Sequence, residues 1–310
     1  MTKFLLDCLG NSIDDEFSLP IALPAILEEN NLVINEVLFN PEVGGSDFLE
    51  LYNRSSKVLD LKGLILVNQT LNPPQIKPIA IEKLIFPNQY IVLTEQPRDI
   101  LSKYIAKNPV DLFQQDLPTF EDKEGNIGLF INEGTTTIRI DELDYSADWH
   151  NALLNDKNGV ALERINPNLP TQNEGNWQSA ASEVGYGTPT YKNSQQILTS
   201  GASVSNNIFS LSSTHISPDG DGFEDILQIN YTTPTDGFSA TIHIYDANGR
   251  LINKIAQNQL LSTVGSFKWE GTTLDGLKAG IGIYVLWMEY VNLEGIVGQE
   301  KKAIIVAEKL

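Results

Sequence analysis

Two β-type runs joined by a turn, residues 32–39 and 47–52, place the strongest constraint on the fold of this chain. Both runs are rich in Val, Ile, Leu, Phe and Tyr, and the turn between them contains one proline and two glycines. Short runs of this kind, bounded by turn-forming residues, predict two strands with a loop between them. A polar break at 53–56 follows, and residues 59–64 open a further strand. The chain is therefore predicted to build a β-sheet.

The same alternation of short strands and turns continues to about Asn193. Further β-type runs, separated by Pro, Gly and Asn, are residues 64–67, 90–93, 127–131 and 138–140. One helix is expected at 97–106, because Pro97 suits a first turn and apolar residues recur after it at helical spacing. Those apolar residues are Ile100, Leu101, Tyr104 and Ile105. The proline-rich stretch 72–78 predicts a loop of polyproline character.

An ordered series of motifs runs through residues 31–193. In chain order the motifs are 34–41, 47–53, 60–64, 116–120, 125–129, 140–145, 148–150, 159–164, 176–177 and 187–189. Their order and composition resemble the lamin-tail domain as it occurs in bacteria. The resemblance implies an immunoglobulin-like β-sandwich, with an insertion at about 70–115 that carries the helix.

A second β-rich region covers residues 207–310. Asn248-Gly249 lies between the alternating runs 240–245 and 250–255, and this dipeptide is the strongest short-range hairpin signal. Further strands are expected at 265–269, 282–290 and 301–306. The motifs 216–222, 244–246, 267–271 and 279–284 resemble the Ig-like domain of flagellar hook-assembly proteins and the C-terminal modules of gliding-associated and type IX-secreted proteins of Bacteroidetes. This resemblance covers 208–308. We therefore predict an all-β chain of two tandem immunoglobulin-like β-sandwiches, the first with a short helix in an insertion.

Two segments flank the first domain. Residues 1–30 resemble the last strands of an Ig-like repeat and are expected to be the tail of a preceding domain; the alternative is an extension that packs on the first domain. Residues 194–206 are rich in Ser, Gln and Asn and are expected to be a linker. Because this segment lacks apolar anchors, we expect the two domains, 31–193 and 207–310, to move independently.

The composition of the chain indicates which partners the protein can bind and in which compartment it works. The 310 residues contain 21 basic and 40 acidic side chains, a net charge of −19, and this surface repels nucleic-acid phosphates. Strong acidity suits a protein that works outside the cell or takes up cations. Cys8 is the single cysteine and excludes an internal disulfide framework. No apolar run is long enough to span a bilayer. We expect an extracellular or outer-cell-surface protein, monomeric, with no nucleic-acid partner.

Catalytic motifs are absent from the sequence, and we expect no enzymatic activity. Neither a nucleophile elbow nor a phosphate loop occurs. Asp148 and His150 could form an acid–base dyad, but the favoured interpretation is that both bond the backbone of a loop. Glu142 and Asp144 share a strand face as a glycosidase pair could, but a solvated acidic face is the favoured interpretation. His243 is expected on a solvent-facing strand position.

The four tryptophans allow a sugar-stacking alternative. They are Trp149, Trp177, Trp269 and Trp287. Three lie within the domain motifs and Trp287 lies in an apolar strand, so packing in the core is the favoured interpretation for most of them.

An acidic loop at the entrance to the second domain predicts a calcium site. Asp219, Asp221 and Asp225 have the first, third and seventh spacing of a calcium loop, and glycines allow its sharp turns. An EF-hand is excluded, because Glu224 and Asn230 occupy the positions where that motif has Gly and Glu. The alternative is a pair of Asp-Gly turns that lead into a strand at 226–231 without a metal.

These observations predict a non-enzymatic structural or adhesion module, the C-terminal part of a larger secreted or cell-surface protein of a Bacteroidetes-like bacterium. Its partner would be a protein or a glycan at the cell surface. The alternatives are the accessory C-terminal portion of a secreted hydrolase or nuclease, and a carbohydrate-binding module. Residues 301–306 resemble the last strands of type IX secretion tails, which implies a sorting signal; the alternative is an ordinary closing strand.

Overall fold

A computed structural model describes residues 22–133, 136–197, 208–292 and 294–308. Strands account for 44% of it and helices for 7%, which confirms the predicted all-β class. The described residues form two Ig-like β-sandwiches, 22–197 and 208–308, each around its own apolar core.

The first sandwich contains twelve strands. They are β1 (Leu32–Leu38), β2 (Phe48–Asn53), β3 (Leu59–Asp60), β4 (Leu64–Asn68), β5 (Gln75–Pro78), β6 (Leu84–Ile85), β7 (Tyr90–Thr94), β8 (Leu112–Gln114), β9 (Glu124–Glu133), β10 (Thr136–Ser146), β11 (Leu162–Arg164) and β12 (Trp177–Ser179). One sheet has the order β12-β11-β1-β2-β7-β8 and the facing sheet the order β10-β9-β4-β5. β3 and β6 form a separate pair. Within the described ranges, short 3-10 turns lie at Pro109–Asp111, Ala147–Trp149, Glu174–Asn176 and Ser182–Val184.

The six-stranded sheet is covered on both faces. Ile34 and Leu49 point into the main core against the four-stranded sheet. Phe48, Val92 and Ile100 form a smaller core on the outer face, beneath the helix. All seven residues of β1 are consequently buried, which is why this strand and β2 read as nearly continuous apolar runs.

The helix α1 (Pro97–Lys103) begins at the predicted proline but ends before the predicted Ala106. Ile100 and Tyr104 are buried, whereas Leu101 and Ile105 are 43% and 65% exposed. A helix this short presents only a narrow face to the sheet. The predicted loop at 72–78 is only partly a loop, because β5 (Gln75–Pro78) pairs with β4 at the sheet edge.

The second sandwich contains eight strands. They are β13 (Phe209–Leu211), β14 (His215–Ile216), β15 (Leu227–Thr232), β16 (Phe238–Asp246), β17 (Leu251–Leu260), β18 (Val264–Trp269), β19 (Gly282–Asn292) and β20 (Val297–Val306). Its sheets have the orders β13-β15-β18 and β14-β20-β19-β16-β17.

The predicted hairpin joins β16 and β17. These strands pair antiparallel, and Gly249 has a φ of 80° in the turn, a conformation that glycine adopts without strain. The Asp246 carboxylate accepts hydrogen bonds from the N–H groups of Asn248 and Arg250 at 2.9 Å each. The local sequence therefore suffices to specify this turn.

The flanking segments contact the first sandwich where they are described. Ala25 and Asn30 donate backbone hydrogen bonds to Val58 and Ile140. At the other end, Ile197 donates to the Ile165 carbonyl at 2.9 Å, so residues 194–197 lie on the sandwich rather than in a linker. Residues 1–21 and 198–207, which contain the rest of the two predicted segments, lie outside the described residues.

Candidate functional site

The three acids predicted to bind calcium come together in the structure. One carboxylate oxygen from each of Asp219, Asp221 and Asp225 lies within 4.8 Å of the other two. Asp219 is exposed, Asp221 is half-buried and Asp225 is buried. The three acids, which are spaced along one loop of the sequence, thus lie close together in the structure, as the binding of a cation requires.

Asp225 organises this loop through hydrogen bonds. Its Oδ1 accepts the N–H groups of Asp219 and Gly220 at 3.1 and 2.6 Å, and its Oδ2 accepts that of Gly222 at 2.7 Å. The Gln195 side chain donates to the same Oδ2 at 3.1 Å. Four donors therefore already satisfy this carboxylate.

The other two acids also make turns of the kind expected without a metal. Asp219 accepts the N–H of Asp221 at 3.2 Å, and Asp221 accepts the N–H of Phe223 at 2.7 Å. A calcium ion would draw mainly on the more exposed oxygens of Asp219 and Asp221, with further ligands from elsewhere in the loop. The calcium site stays a prediction.

A half-buried lysine joins the two sandwiches. Lys268 on β18 is 11% exposed, and its Nζ donates to the carbonyl oxygens of Trp149 and Trp177 at 2.6 and 2.8 Å. It also donates to Gln178 Oε1 at 3.0 Å and lies 3.2 Å from a carboxylate oxygen of Glu270. A lysine from the second sandwich is thus coordinated mainly by the first.

Close backbone packing continues the junction. A Cβ added to Gly175 would lie 2.3 Å from the carbonyl oxygen of Ser266, so only glycine fits there. Ser182 N–H donates to the Gly220 carbonyl at 3.0 Å, and Ala152 N–H donates to Glu270 at 3.1 Å. These direct contacts favour a fixed arrangement of the two sandwiches, and the expectation that the domains move independently stays a prediction. The contacts at the junction come from strand and loop residues of both sandwiches, which the composition of 194–206 could not reveal.

Three glutamates that received no role from the sequence form a buried row on the outer face of the six-stranded sheet. Glu36 on β1 is in register with Glu163 on β11 and with Glu50 on β2. All three are 0% exposed. A β-bulge at Asn35 turns both Asn35 and Glu36 to the outer face. The available signal was a single acid among the apolar residues of β1 and of β2, and one directly after the apolar run 160–162.

The Asp148–His150 dyad does not form. His150 is buried and its Nδ1 lies 2.9 Å from Ser179 Oγ, whereas Asp148 is exposed and its N–H bonds Ser146. Burial, with help from Lys157 and Lys268, lowers the pKa of His150 to about 3. An imidazole with so low a pKa is a weak general base at neutral pH.

The acidic pair Glu142 and Asp144 is bridged rather than free. Asn126 Nδ2 donates to both carboxylates, at 3.0 and 2.7 Å. Arg139 lies 3.6 Å from Glu142 on the same strand. This arrangement is a hydrogen-bonded strand face at the protein surface.

The tryptophans divide between core and surface. Trp177 and Trp269 lie in the two cores, and Trp149 packs partly buried against the first. Trp287 is the tryptophan that lies outside both cores, because Leu286 and Met288 take the inward positions of β19. Trp287 lies on the outer face of the five-stranded sheet; its ring centroid is 6.1 Å from that of His243 and 6.0 Å from that of Tyr245.

A known protein family matches part of the second sandwich. Residues 213–294 match the FlgD Ig-like domain. The match supports the predicted resemblance of this region to hook-assembly Ig-like domains. The resemblance of residues 31–193 to the lamin-tail domain stays a prediction.

Three solved structures show limited similarity. CopC from Methylosinus trichosporium OB3b is 17% identical over 31% of this chain and 84% of its own, with a TM-score of 0.22. FlgD from P. aeruginosa is 20% identical over 26% of this chain and 62% of its own, with a TM-score of 0.22. Dimeric latent PorU from Porphyromonas gingivalis is 12% identical over 90% of this chain, which spans 20% of PorU, with a TM-score of 0.27. At these scores the similarities carry no functional argument. No curated protein matches the chain.

Among the residues that the structure describes, no helix combines the length and the apolar character needed to cross a membrane.

Proposed function

We propose that this chain is a non-enzymatic structural module of a secreted or cell-surface protein, in which two Ig-like sandwiches act together as one rigid spacer or anchor. The observation that carries the proposal is the junction at Lys268, whose ammonium group is held by two carbonyl oxygens of the other sandwich. A spacer transmits position only when its domains keep a fixed angle, and buried charged hydrogen bonds favour a fixed angle.

Two further observations support this function. The catalytic groups weighed from the sequence are engaged structurally: His150 bonds Ser179, and Asn126 bridges Glu142 and Asp144. The match of 213–294 to an Ig-like domain and the net charge of −19 both suit an extracellular module that meets a protein or glycan partner in adhesion.

Rigidity can be measured by a spin-label distance between the sandwiches. Labels at Ser102→Cys and Asn248→Cys, both exposed and in a Cys8→Ser background, report the separation of the two domains. The proposal predicts a single narrow distance distribution that broadens when Lys268→Met is added. A broad distribution in the protein with native Lys268 would contradict the rigid spacer.

Carbohydrate binding is a second candidate, favoured by the surface position of Trp287. Trp287, Tyr245 and His243 are each half-buried and form an aromatic cluster on the outer face of the five-stranded sheet, and aromatic rings on a sheet face can stack against sugars. The rings are inclined by 53–74° to one another rather than coplanar, which favours a short contact over an extended flat one. Glycan-array screening of the natural chain and of Trp287→Ala tests this candidate. A binding signal that Trp287→Ala does not reduce, or no signal at all, would reject it.

A further inference from the structure

The hydroxyl of Thr188 lies between two carboxyl groups of the glutamate row. Thr188 Oγ1 is 3.0 Å from Glu36 Oε2 and 2.7 Å from Glu163 Oε1. A hydroxyl group can donate one proton only. If both glutamates were ionised, one of these contacts would bring two lone-pair oxygens together without a hydrogen. A proton on one of the two carboxyl groups completes both hydrogen bonds.

Residues 186–197, which we term the strap, cover the glutamate row and supply most of its donors. The N–H of Thr188 and of Thr190 donate to Glu36 and Glu50 at 2.8 and 2.6 Å. Ser194 Oγ and the N–H of Gln195 donate to Glu163 at 2.8 and 3.0 Å. Asn193 donates from its side chain to the carbonyls of Asn35 and Arg164, at 3.0 and 2.9 Å.

These donors are neutral, so the row lacks a compensating cation. None of the ion pairs found among the described residues includes Glu36, Glu50 or Glu163. Burial, together with the neighbouring carboxylates, raises the pKa of Glu36 and of Glu50 well above the ordinary value. Burial also raises the pKa of Glu163. Three tyrosines, Tyr90, Tyr104 and Tyr191, also interact electrostatically with glutamates of the row. Asp225 and Lys268 lie one residue further away, because they bond the side chains of Gln195 and Gln178.

The strap also reaches the second sandwich. Gln195 donates its N–H to Glu163 and its side-chain amide to Asp225, so one residue contacts both the row and the aspartate loop. Ser194 Oγ accepts the N–H of Ala181 at 2.9 Å, next to the contact between Ser182 and Gly220 at the junction. Release of the strap would therefore remove contacts from the domain junction as well as from the row.

We propose that the strap is a pH-sensitive latch, closed on the glutamate row while Glu36 and Glu163 share a proton through Thr188, and loosened as rising pH removes that proton. Opening exposes the carboxyl groups to water, where they ionise, and it withdraws Gln195 from Asp225. The latch therefore couples the acidity of the surroundings to the junction between the two sandwiches.

The direction of the effect follows from where the proton is bound. Because the pKa of the row is raised in the closed state, there is a range of pH in which the closed state keeps its proton and the open state has lost it. The bound proton stabilises the closed strap fully below the ordinary glutamate pKa of 4.5, and this stabilisation is lost as the pH rises from there to the pKa of the closed row. Because the carboxyl groups are coupled, that pKa belongs to the row rather than to one residue.

Infrared spectroscopy tests the shared proton. A buried protonated carboxyl group has a C=O stretching band distinct from that of a carboxylate, and we expect this band in the natural chain at neutral pH. Glu36→Gln and Glu163→Gln each replace the acid by an amide that can donate to Thr188 Oγ1 and keep the row closed; either change should weaken the band. Glu183→Gln, on the exposed surface near the strap, is the matched control and should leave it unchanged. A missing band, or a band that both row variants leave intact, would overturn the proposal.

Hydrogen exchange tests the latch itself. Exchange of strap amides, divided by the intrinsic rate at each pH, gives the opening equilibrium, and release of one proton makes that equilibrium rise about tenfold per pH unit. We expect this slope for Thr188, Thr190 and Gln195 in the natural chain and in Glu183→Gln, and a flat response in Glu163→Gln. Amides in β19 serve as the reference. Strap amides that follow the reference at every pH, or a slope that persists in Glu163→Gln and Glu36→Gln, would refute the latch.

Discussion

The ammonium group of Lys268 lies 2.6 Å from the carbonyl oxygen of Trp149, although the two residues belong to different sandwiches. Trp149 ends a 3-10 turn, and an orphan carbonyl at such an end is a ready acceptor for a cation. Glu270, two residues along from Lys268, supplies the balancing negative charge at 3.2 Å. The junction is therefore polar and specific rather than a simple apolar contact.

Replacing Lys268 should weaken this junction. Lys268→Met leaves the carbonyls of Trp149 and Trp177 without their donor and Glu270 without its cation, so we expect a loss of about 3 kcal/mol in the free energy of unfolding. Scanning calorimetry should show one transition for the natural chain and two for the variant. The exposed Lys254→Met is the control, with a change within about 0.5 kcal/mol. Equal effects of the two substitutions would contradict the role of Lys268.

A methyl group at Gly175 should separate the sandwiches sterically. The added Cβ would lie 2.3 Å from the Ser266 carbonyl oxygen and 2.8 Å from the Phe267 Cα, and backbone atoms cannot rotate away. We expect Gly175→Ala to cost about 1–3 kcal/mol by chemical denaturation. Gly280→Ala, where no atom lies within 4 Å of the new Cβ, is the matched control. A neutral Gly175→Ala would show that the two surfaces do not touch in solution.

Calcium should stabilise the second sandwich if the aspartate loop binds it. For a dissociation constant of roughly 0.1–1 mM, calcium at about 10 mM should add about 1.4–2.7 kcal/mol to the free energy of unfolding. Thermal melting with calcium and with chelator measures this gain. Asp221→Ala should abolish it, and Asp236→Ala, at an exposed acid outside the loop, should preserve it. A melting temperature that is the same with calcium and with chelator would show that the loop forms hydrogen-bonded turns without a metal.

His150 should remain neutral far into the acid range. Its pKa is lowered to about 3 from an ordinary 6.5, so the neutral ring stabilises the fold above pH 6.5 and that stabilisation is lost as the pH falls toward 3. Proton NMR of the imidazole C–H signals, assigned with His150→Gln, measures the titration. A midpoint near the ordinary value would show that water reaches the ring.

Fusion of the second sandwich to a reporter, rather than deletion of its last strands, tests whether this domain carries a sorting signal. β19 and β20 supply the buried Leu286, Met288, Ile304 and Val306, so removal of 282–310 would unfold the domain instead of removing a signal. A reporter fused to residues 208–310 should be exported by a Bacteroidetes host if the domain carries the sorting signal. The same reporter fused to 22–197 is the control. Retention of both fusions would favour an ordinary closing strand.

Local patterns predicted most of the elements. Alternating residues located β16 and β17, Asn248-Gly249 located their turn, and Pro97 located the start of the helix. Each of these signals depends on residues adjacent in the chain, whose conformations sterics and hydrogen bonding fix locally. The aspartate loop belongs to the same class, because its three acids lie within seven positions and close on one another through neighbouring N–H groups.

The sequence by itself thus determined the all-β class, most of the strands along the chain and the loop that gathers Asp219, Asp221 and Asp225. Only the tertiary structure decided which face of each strand meets another element. The period of two places Trp287 and Leu286 on opposite faces but does not say which face is inward. Likewise, Glu36, Glu50 and Glu163 form one row only because register aligns three strands that are distant in the chain, and Lys268 reaches Trp149 only because two cores pack side by side. Contacts between distant segments depend on the packing of whole sheets, and no short pattern encodes that packing.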